Sequence, residues 1–294
     1  VALESLLPHA DHLFVPREHV AESGDFLARV ETTRVHEEGI AGERERLLHV
    51  SDLVLVDTRD PEEVRGRLVD LTVGDRLVTA NGGDAEAEKL VRILTPLIKL
   101  RACRDNVPVA TGAMEIRGGN GYIEDWVNPR LIRDAQVGLL WEGTSNINAL
   151  DVVTRAIPKV RAHEALATAL HAKLDETDGL PGQFRGQLSS QIDRATSFAE
   201  GVSSDAQKED KARLAVTALY NATSAVLLAW EGVTAGRGGG DARRLLLARM
   251  VLDHRLLPQD PMAPGENRFD KAAARILLDD APVTLPEVLE VLML

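Results

Sequence analysis

Glu142 has the setting in this sequence that most clearly suggests chemistry. It lies between an aromatic residue, Trp141, and Gly143, and uncharged hydrogen-bonding side chains follow at Thr144 and Asn146. A carboxylate beside a large ring in a dry pocket has its charged form disfavoured, so we expect its pKa to rise toward working pH, where it can act as a base. Gly143 leaves the adjacent peptide N–H unobstructed, and such a group can polarise a carbonyl.

Two further patterns precede this segment. A glycine cluster, Gly118-Gly119-Asn120-Gly121, lets backbone N–H groups approach a ligand closely, and successive amides can cradle a pyrophosphate. Residues 129–135 then embed charges among apolar side chains. Taken singly, each pattern has an ordinary structural explanation, because glycine clusters end helices and a Glu-Gly pair is usually a solvated turn. The functional inference therefore depends on their joint order and spacing.

A long helix must position the glycine cluster. Apolar residues recur at three- and four-residue spacing within residues 84–116, which predicts one apolar helical face. This face comprises Leu90, Ile93, Leu94, Leu97, Ile98 and Leu100. Pro96 and Pro108 are expected to kink or split the helix, and the glycine cluster ends it.

The remaining pattern is also helical. A capped, acidic start predicts a helix over residues 60–80, and residues 26–38 have some helical character, whereas residues 51–57 fit a short strand or a buried helix face. Beyond residue 150, helices are predicted over 151–176, 181–201, 205–234, 241–257, 268–279 and 285–294, with a flexible linker at 236–240. We predict an all-α fold of packed antiparallel helices.

Composition narrows the classes of function. The formal charge is −12, from 34 basic and 46 acidic residues, and this average field opposes non-specific nucleic-acid binding. Cys103 is the only cysteine, so an intrachain disulfide and a cysteine-based zinc site are excluded. His9, His12 and His19 lie near Asp11 without ligand spacing, so we expect surface histidines and no metal.

We find no secretory signal pattern and no apolar run of membrane-spanning length, so the cytoplasm is the expected compartment and no membrane contact is expected. The sequence begins at Val1 without Met, and we expect a processed, truncated or partial polypeptide.

The stretch from about Leu90 to Asp151 resembles the last helices of the acyl-CoA dehydrogenase C-terminal domain. In that family a glycine-rich turn, an arginine-aspartate pair and an aromatic-Glu-Gly-Thr segment follow one another at near-fixed spacing, and the span from Gly118 to Glu142 appears here without an evident insertion or deletion. The resemblance implies a helical bundle of this type over residues 1–150, with residues 1–60 poorly matched, and a helical extension over residues 151–294.

The same resemblance implies an FAD-dependent oxidoreductase. Glu142 would remove a proton α to a thioester carbonyl while a hydride leaves the β carbon for the flavin N5, giving an α,β-unsaturated acyl-CoA. The backbone N–H of Glu142, with a flavin ribityl hydroxyl, would bind the thioester oxygen. Trp141 and Gly143 fall at substrate-facing positions.

Two sets of residues fall where the family contacts FAD. The first set, often facing the FAD of a neighbouring subunit, is Glu115, Gly118 and Gly119. The second set is Thr144 and Asn146. Arg133 and Asp134 are expected to pair structurally and to hold the turn in place.

The resemblance also implies partners. These are an acyl-CoA substrate from fatty acid metabolism, electron-transferring flavoprotein as the electron acceptor, and further copies of the chain in a dimer or tetramer. The family's N-terminal helical domain, β-barrel domain and arginine-x-x-phenylalanine-glycine signature do not appear in this sequence. We therefore expect only the C-terminal half of a complete enzyme.

The extension leaves alternatives open. Long-form acyl-CoA dehydrogenases and alkylation-response flavoproteins linked to DNA protection both carry such extensions. The sequence therefore fits a dehydrogenase, which we favour, or a flavoprotein that binds DNA with little turnover, or an inert helical partner subunit. Against DNA binding, the extension is not visibly basic. Trp230-Glu231-Gly232 repeats the tripeptide around Glu142, but we interpret it as core and cap at a helix end.

Overall fold

The structure is a computed structural model, and it describes residues 83–141, 143–258, 262 and 267–294. The segments predicted at 26–38, 51–57 and 60–80 lie outside these residues. The described residues contain α-helices and no strand, which confirms the all-α prediction. The α-helices are α1 Ala85–Ile116, α2 Gly119–Tyr122, α3 Asn128–Val137, α4 Ser145–Asp151, α5 Ile157–Val160, α6 Ala162–Asp175, α7 Gly182–Ser203, α8 Ala212–Arg237, α9 Arg244–Val251, α10 Arg268–Leu278 and α11 Leu285–Leu292.

Helix α1 is the element on which the motif segments are arranged. Asp84 caps it, because its Oδ1 accepts hydrogen bonds from the backbone N–H groups of Glu86 at 2.9 Å and Ala87 at 3.1 Å. The predicted apolar face is buried except for the half-buried Ile98. The helix continues through Pro96 and Pro108, so neither proline splits it, and the predicted kink stays a prediction. Packing of the buried face outweighs the two lost backbone hydrogen bonds.

The helix predicted over residues 151–176 is interrupted. After α4 the chain forms a π-helical turn, Val152–Ala156, and then α5, which has Pro158 in its first turn. Arg161 adopts a left-handed backbone conformation with φ 52° and separates α5 from α6. Such a conformation is uncommon for a residue other than glycine, and the sequence pattern gave no sign of it.

Helix α8 is the central element of the extension. Leu219 and Val226 of this helix are buried and Leu227 and Trp230 are half-buried, whereas Leu214 is 61% exposed. The chain before α8 forms a separate 3-10 helix, Ala206–Lys211. Close packing of α8 on α9 requires a glycine, because a Cβ at Gly232 would lie 2.5 Å from the backbone nitrogen of Leu245.

One helical stretch, Ala206–Arg237, is long and apolar enough to cross a membrane by length and composition. The sequence analysis expected no apolar run of that length. Within its apolar window, 72% of the residues are buried in the protein. The buried core helix of a bundle can have the same length and apolar composition, so this observation is weak evidence for a membrane span.

The last two helices are held by a buried arginine. Arg243 forms an ion pair with Asp241 at 2.6 Å, and it donates hydrogen bonds to the backbone oxygens of Asp279 at 3.0 Å and Ala281 at 2.7 Å. Its guanidinium therefore fixes the loop between α10 and α11 against the start of α9. Among the described residues one buried apolar cluster runs from Leu90 to Leu292, so the core continues across residue 150. The division into units 1–150 and 151–294 stays a prediction.

Candidate functional site

The glycine cluster forms an open turn at the end of α1. The backbone N–H of Gly118 donates to the oxygen of Glu115 at 3.0 Å, and Gly118 has φ 57°, a conformation that glycine adopts without strain. A Cβ at Gly118 or Gly119 would meet no atom within 4 Å, so both backbones are open to a ligand. Glu115 is exposed in the last turn of α1, beside this opening. The turn therefore brings together the first predicted set of FAD contacts.

Gly121 has a different role from the two glycines before it. It is buried, and a Cβ there would lie 2.2 Å from the backbone oxygen of Met114. This glycine allows α2 to fold back against the end of α1. The sequence presents one glycine cluster, whereas the structure divides it into an open part at 118–119 and a packing position at 121.

The charged pair of the second pattern is arranged differently from the prediction. Arg133 does not pair with Asp134. It donates two hydrogen bonds to the carboxylate of Glu124, at 2.8 and 3.2 Å, and these bonds lower the pKa of Glu124. Asp134 lies 3.5 Å from Arg130 across one turn of α3. The pairing with Glu124 joins α3 to the loop after the glycine turn, which is a structural role of the kind expected.

The third pattern lies along the middle of α1. The Lys99 Nζ donates to the backbone oxygen of Gly138 at 2.5 Å and so anchors the end of α3. Gly143 has φ 93°, and Asn148 Nδ2 donates to the backbone oxygens of Gly143 at 2.8 Å and Thr144 at 3.1 Å. These bonds fix the turn that leads into α4. Neither Lys99 nor Asn148 was identified from the sequence, because both act through backbone oxygens that no motif marks.

Position 142 itself lies outside the described residues, so the prediction for the Glu142 carboxylate stays untested. The residues around it form an open face. Leu140 is 69% exposed and Trp141 is 43% exposed, and Thr144 and Asn146 are also exposed. The described part of the chain therefore does not by itself supply the dry pocket that the sequence analysis expected.

The two predicted sets of cofactor contacts are separated along α1. Arg104 Nη1 donates to Ser145 Oγ at 3.1 Å, which places the 143–146 turn beside Arg104. Glu115 lies eleven residues further along the same helix. At about 1.5 Å per residue the two sets are on the order of 16 Å apart along the axis, so they suit one extended ligand or two separate ones.

Exposed apolar side chains concentrate at this end of the molecule. Eleven large apolar residues are exposed in the part of the chain that the structure describes, and six of them lie within 122–147. The six are Tyr122, Ile123, Val137, Leu140, Trp141 and Ile147. Clustered exposure of this kind marks a surface that contacts a ligand or another polypeptide.

Two alternative sites receive no support from the geometry. Trp230-Glu231-Gly232 lies within α8, which continues to Arg237, so it does not end a helix as predicted. Its Glu231 forms an ion pair with Arg244 at 2.9 Å and its glycine packs on α9, as expected of a core position. Over the described ranges, no group of three histidine, cysteine, aspartate or glutamate side chains is placed to hold a metal ion. His9, His12 and His19 lie outside those ranges.

Comparison with known proteins confirms the resemblance. Residues 68–157 match the family model "Acyl-CoA dehydrogenase, C-terminal domain". The chain is 37% identical over 110 residues to acyl-CoA dehydrogenase family member 11 of Caenorhabditis elegans, and 36% identical over 86 residues to the putative acyl-CoA dehydrogenase AidB of Escherichia coli. These matches cover 36% and 29% of this chain and only 17% and 16% of the relatives.

A solved structure extends the likeness in fold. The crystal structure of Caenorhabditis elegans ACDH-11 in complex with C11-CoA superposes with a TM-score of 0.57 and 24% sequence identity, over 74% of this chain and 38% of that one. The superposed share exceeds the 90 residues of the family match, so the likeness in fold reaches into the extension. The region that carries all three motif patterns is thus the region that resembles acyl-CoA dehydrogenases.

Proposed function

We propose that this chain contributes the C-terminal helical part of an FAD-dependent acyl-CoA dehydrogenase. The observation that carries the proposal is the pair of backbone turns on α1. One is open at Gly118 and Gly119, the other exposes Thr144 and Asn146, and both fall inside the family match. Because the chain spans about a sixth of the length of the relatives it matches, the activity of the whole enzyme remains a proposal.

The residues present fit FAD as a cofactor. A ligand phosphate approaches a backbone N–H only where no side chain intervenes. The N–H of Gly118 already donates to Glu115, so Gly119, which has open space around its Cα, would supply the N–H. One FAD contact would be made by Glu115, Gly118 and Gly119. A second FAD contact would be made by Thr144 and Asn146. A separation on the order of 16 Å along α1 suits contacts to one extended cofactor or to two cofactors in an assembly of several copies.

The reaction would remove two hydrogens from adjacent carbons. Bound FAD supplies the hydride-accepting chemistry at the substrate β carbon. Glu142 would take the proton from the α carbon, and the electron pair of that C–H bond would become the new C=C bond. The backbone N–H of Glu142 would bind the thioester oxygen and acidify the α carbon, while Gly143 keeps the backbone beside it unobstructed and Trp141 packs against the thioester.

The exposed apolar face supports the proposed partners. Tyr122, Leu140 and Trp141 would be covered by flavin, by an acyl-CoA thioester and by further polypeptide in a homo-oligomer. Covering this face would also exclude water and supply the dry pocket that the described residues leave open. Electron-transferring flavoprotein would reoxidise the cofactor, and we assign the enzyme to fatty acid metabolism in the cytoplasm.

Flavin reduction by substrate tests the proposed function. The purified protein would be loaded with FAD, and acyl-CoAs of increasing chain length would be added without oxygen while the visible flavin absorbance is recorded. We expect bleaching by at least one acyl-CoA, and none in Glu142→Gln although FAD stays bound. Equal bleaching in Glu142→Gln contradicts the assignment of the base.

Glu231→Gln is the matched control, because it changes the same residue type within the same tripeptide. It should bleach like the unchanged protein, since Glu231 pairs with Arg244 in the core. A protein that retards DNA with steep salt dependence and shows no bleaching would instead be the DNA-binding alternative. A protein that takes up no flavin at any concentration would be the inert subunit or a part of the enzyme that needs the rest of the chain to bind flavin.

A further inference from the structure

Ser145 connects the candidate site to the interior of the bundle. It lies between Thr144 and Asn146, the two residues proposed to contact FAD, and its side chain points the other way, toward α1. There its Oγ accepts the hydrogen bond from Arg104 Nη1 at 3.1 Å across 41 residues of sequence. Asn148 holds the turn from within α4, and among the described residues Arg104 supplies the side-chain hydrogen bond that ties the turn to α1.

The charges around Arg104 restrict that position. Burial, and then repulsion from Arg213 and Arg101, lower the pKa of Arg104, whereas Asp105 acts in the opposite direction. Asp105 is itself paired with Arg101, one helical turn away. The carboxylate that attracts Arg104 is thus already paired with another guanidinium, and Arg104 donates to a neutral hydroxyl.

The extension supplies part of this environment. Arg213 belongs to the first turn of α8, and it lines a cleft of about 260 Å³ together with Asn146 and Ala149 of α4. Arg255 lies in the second π-helical turn, Leu252–Leu256, and its charge acts on Asp105. The start of α8 thus places a positive charge that repels Arg104 at the cleft bordering Asn146, which the acids Glu209 and Asp210 also line.

We propose that Arg104 is a positioning residue for the 143–146 turn, and that Arg213 of the extension directs it toward Ser145. Like charges keep the Arg104 guanidinium away from α8, and the Ser145 hydroxyl is the acceptor that remains in reach. The extension thereby sets the backbone that precedes the cofactor contact at Asn146. This inference rests on the proposed function for its consequence, but the coupling itself is a property of the free protein.

Hydrogen exchange of the α4 amides tests the coupling without cofactor or substrate. Arg104→Met keeps the aliphatic stem and removes the donor, and Ser145→Ala removes the acceptor. Each should speed exchange at residues 145–151 by about fivefold, the equivalent of one ordinary hydrogen bond, and the double variant should add nothing further. Arg104→Lys, which keeps a charge and a donor, should recover part of the protection. Amides of α7 serve as the internal control and should not change.

Two substitutions at position 213 test whether the extension directs Arg104. Arg213→Met removes the repulsion and should speed α4 exchange, whereas Arg213→Lys keeps the positive charge and should not. Equal exchange in these two variants overturns the role of the extension. Unchanged exchange in Arg104→Met, or independent effects of Arg104→Met and Ser145→Ala, overturns the positioning role.

The cofactor measurement separates this inference from the proposed function. If the protein binds FAD, Arg104→Met should weaken FAD affinity by about fivefold, the factor expected for α4 exchange, and Arg104→Lys should restore part of the affinity. Unchanged FAD affinity alongside faster α4 exchange would overturn the functional consequence of the coupling. A protein whose α4 exchange couples as described, but whose flavin no acyl-CoA reduces, would disprove the dehydrogenase and leave the coupling intact.

Discussion

Arg92 of α1 donates two hydrogen bonds to the carboxylate of Asp151 at the end of α4, with Nη1 2.6 Å from Oδ2 and Nη2 2.8 Å from Oδ1. The two residues are 59 positions apart in sequence. Arg155, one turn further on, lies 3.4 Å from the same carboxylate. Because Asp151 directly precedes the first π-helical turn, this pair fixes the point at which the motif region passes into the extension.

Removal of this ion pair should destabilise the protein measurably. A bidentate arginine–carboxylate pair is stronger than a simple surface pair, but partial exposure screens it, so we expect Asp151→Asn to cost about 1 kcal/mol at neutral pH. The hydrogen bonds from Arg92 lower the pKa of Asp151. Its contribution is therefore present above the unfolded-state pKa and is lost as pH falls through the folded-state pKa.

Urea unfolding of Asp151→Asn and the unchanged protein at several pH values measures this effect. The difference in unfolding free energy should shrink as the solution becomes acidic. Arg155→Met is the control and should cost less than Arg92→Met, since Arg155 makes the longer contact. A difference that persists below the titration range of Asp151 would show that the pair is not the cause.

His163 should make the bundle sensitive to mild acid. Its side chain is 2% exposed, its ring nitrogens have no hydrogen-bond partner among the described residues, and burial lowers its pKa despite Glu200 Oε1 at 3.9 Å. A lowered pKa means that the unfolded chain binds the proton first. Stability from neutral His163 is thus present above its unfolded pKa and falls as pH drops, by up to about 1.4 kcal/mol per pH unit.

The measurement is the slope of unfolding free energy against pH in the mildly acidic range, for the unchanged protein and for His163→Gln. The variant should lose this part of the slope. Glu200→Gln removes the carboxylate 3.9 Å from Nε2, which favours the charged ring, and should keep the slope or extend it to lower pH. An identical slope in His163→Gln would assign the sensitivity to other groups.

The two open glycines predict a loss of ligand binding without a loss of stability. Gly119 lies in the first turn of α2 with space around its Cα, so Gly119→Ala should leave the unfolding free energy unchanged or slightly raised. The added methyl would obstruct a phosphate at the turn, so FAD affinity measured by flavin fluorescence should fall. Gly182→Ala, also in open space at a helix start, is the matched control and should leave FAD affinity unchanged. Unchanged FAD affinity in Gly119→Ala would exclude a cofactor from this turn.

The neighbouring glycine should behave in the opposite way. A Cβ at Gly121 would lie 2.2 Å from the backbone oxygen of Met114, so Gly121→Ala forces the turn apart. We expect a loss of roughly 1–3 kcal/mol in unfolding free energy, as for overpacked cores. Thermal or urea unfolding measures it. A fully stable Gly121→Ala would mean that the turn has room that the structure does not show.

Local elements were predictable from the sequence, and long-range pairs were not. The Asp84 cap, the apolar face of α1 and the start of α10 follow from short patterns that act within one helical turn. The left-handed Arg161 and the π-helical turns depend on how α4 to α6 pack, which periodicity does not report. They therefore appeared only in the structure.

The candidate site shows the same division. The family resemblance, through order and spacing, assigned cofactor contacts to five residues, and these assignments stay predictions: Glu115, Gly118, Gly119, Thr144 and Asn146. The partners that hold the site, such as Arg104 for Ser145 and Glu124 for Arg133, lie on other elements. A single sequence does not pair such residues, since any of its many arginines and acids could fill the same role.

Deuterium uptake at the α carbon of an acyl-CoA is the most direct test of the central claim, that Glu142 removes the α proton. The FAD-loaded protein would be incubated with an acyl-CoA in D₂O without an electron acceptor, and recovered acyl-CoA would be analysed by mass spectrometry. We predict deuterium at the α carbon with the unchanged protein and with Glu231→Gln, and none with Glu142→Gln. Equal uptake with Glu142→Gln would contradict the account.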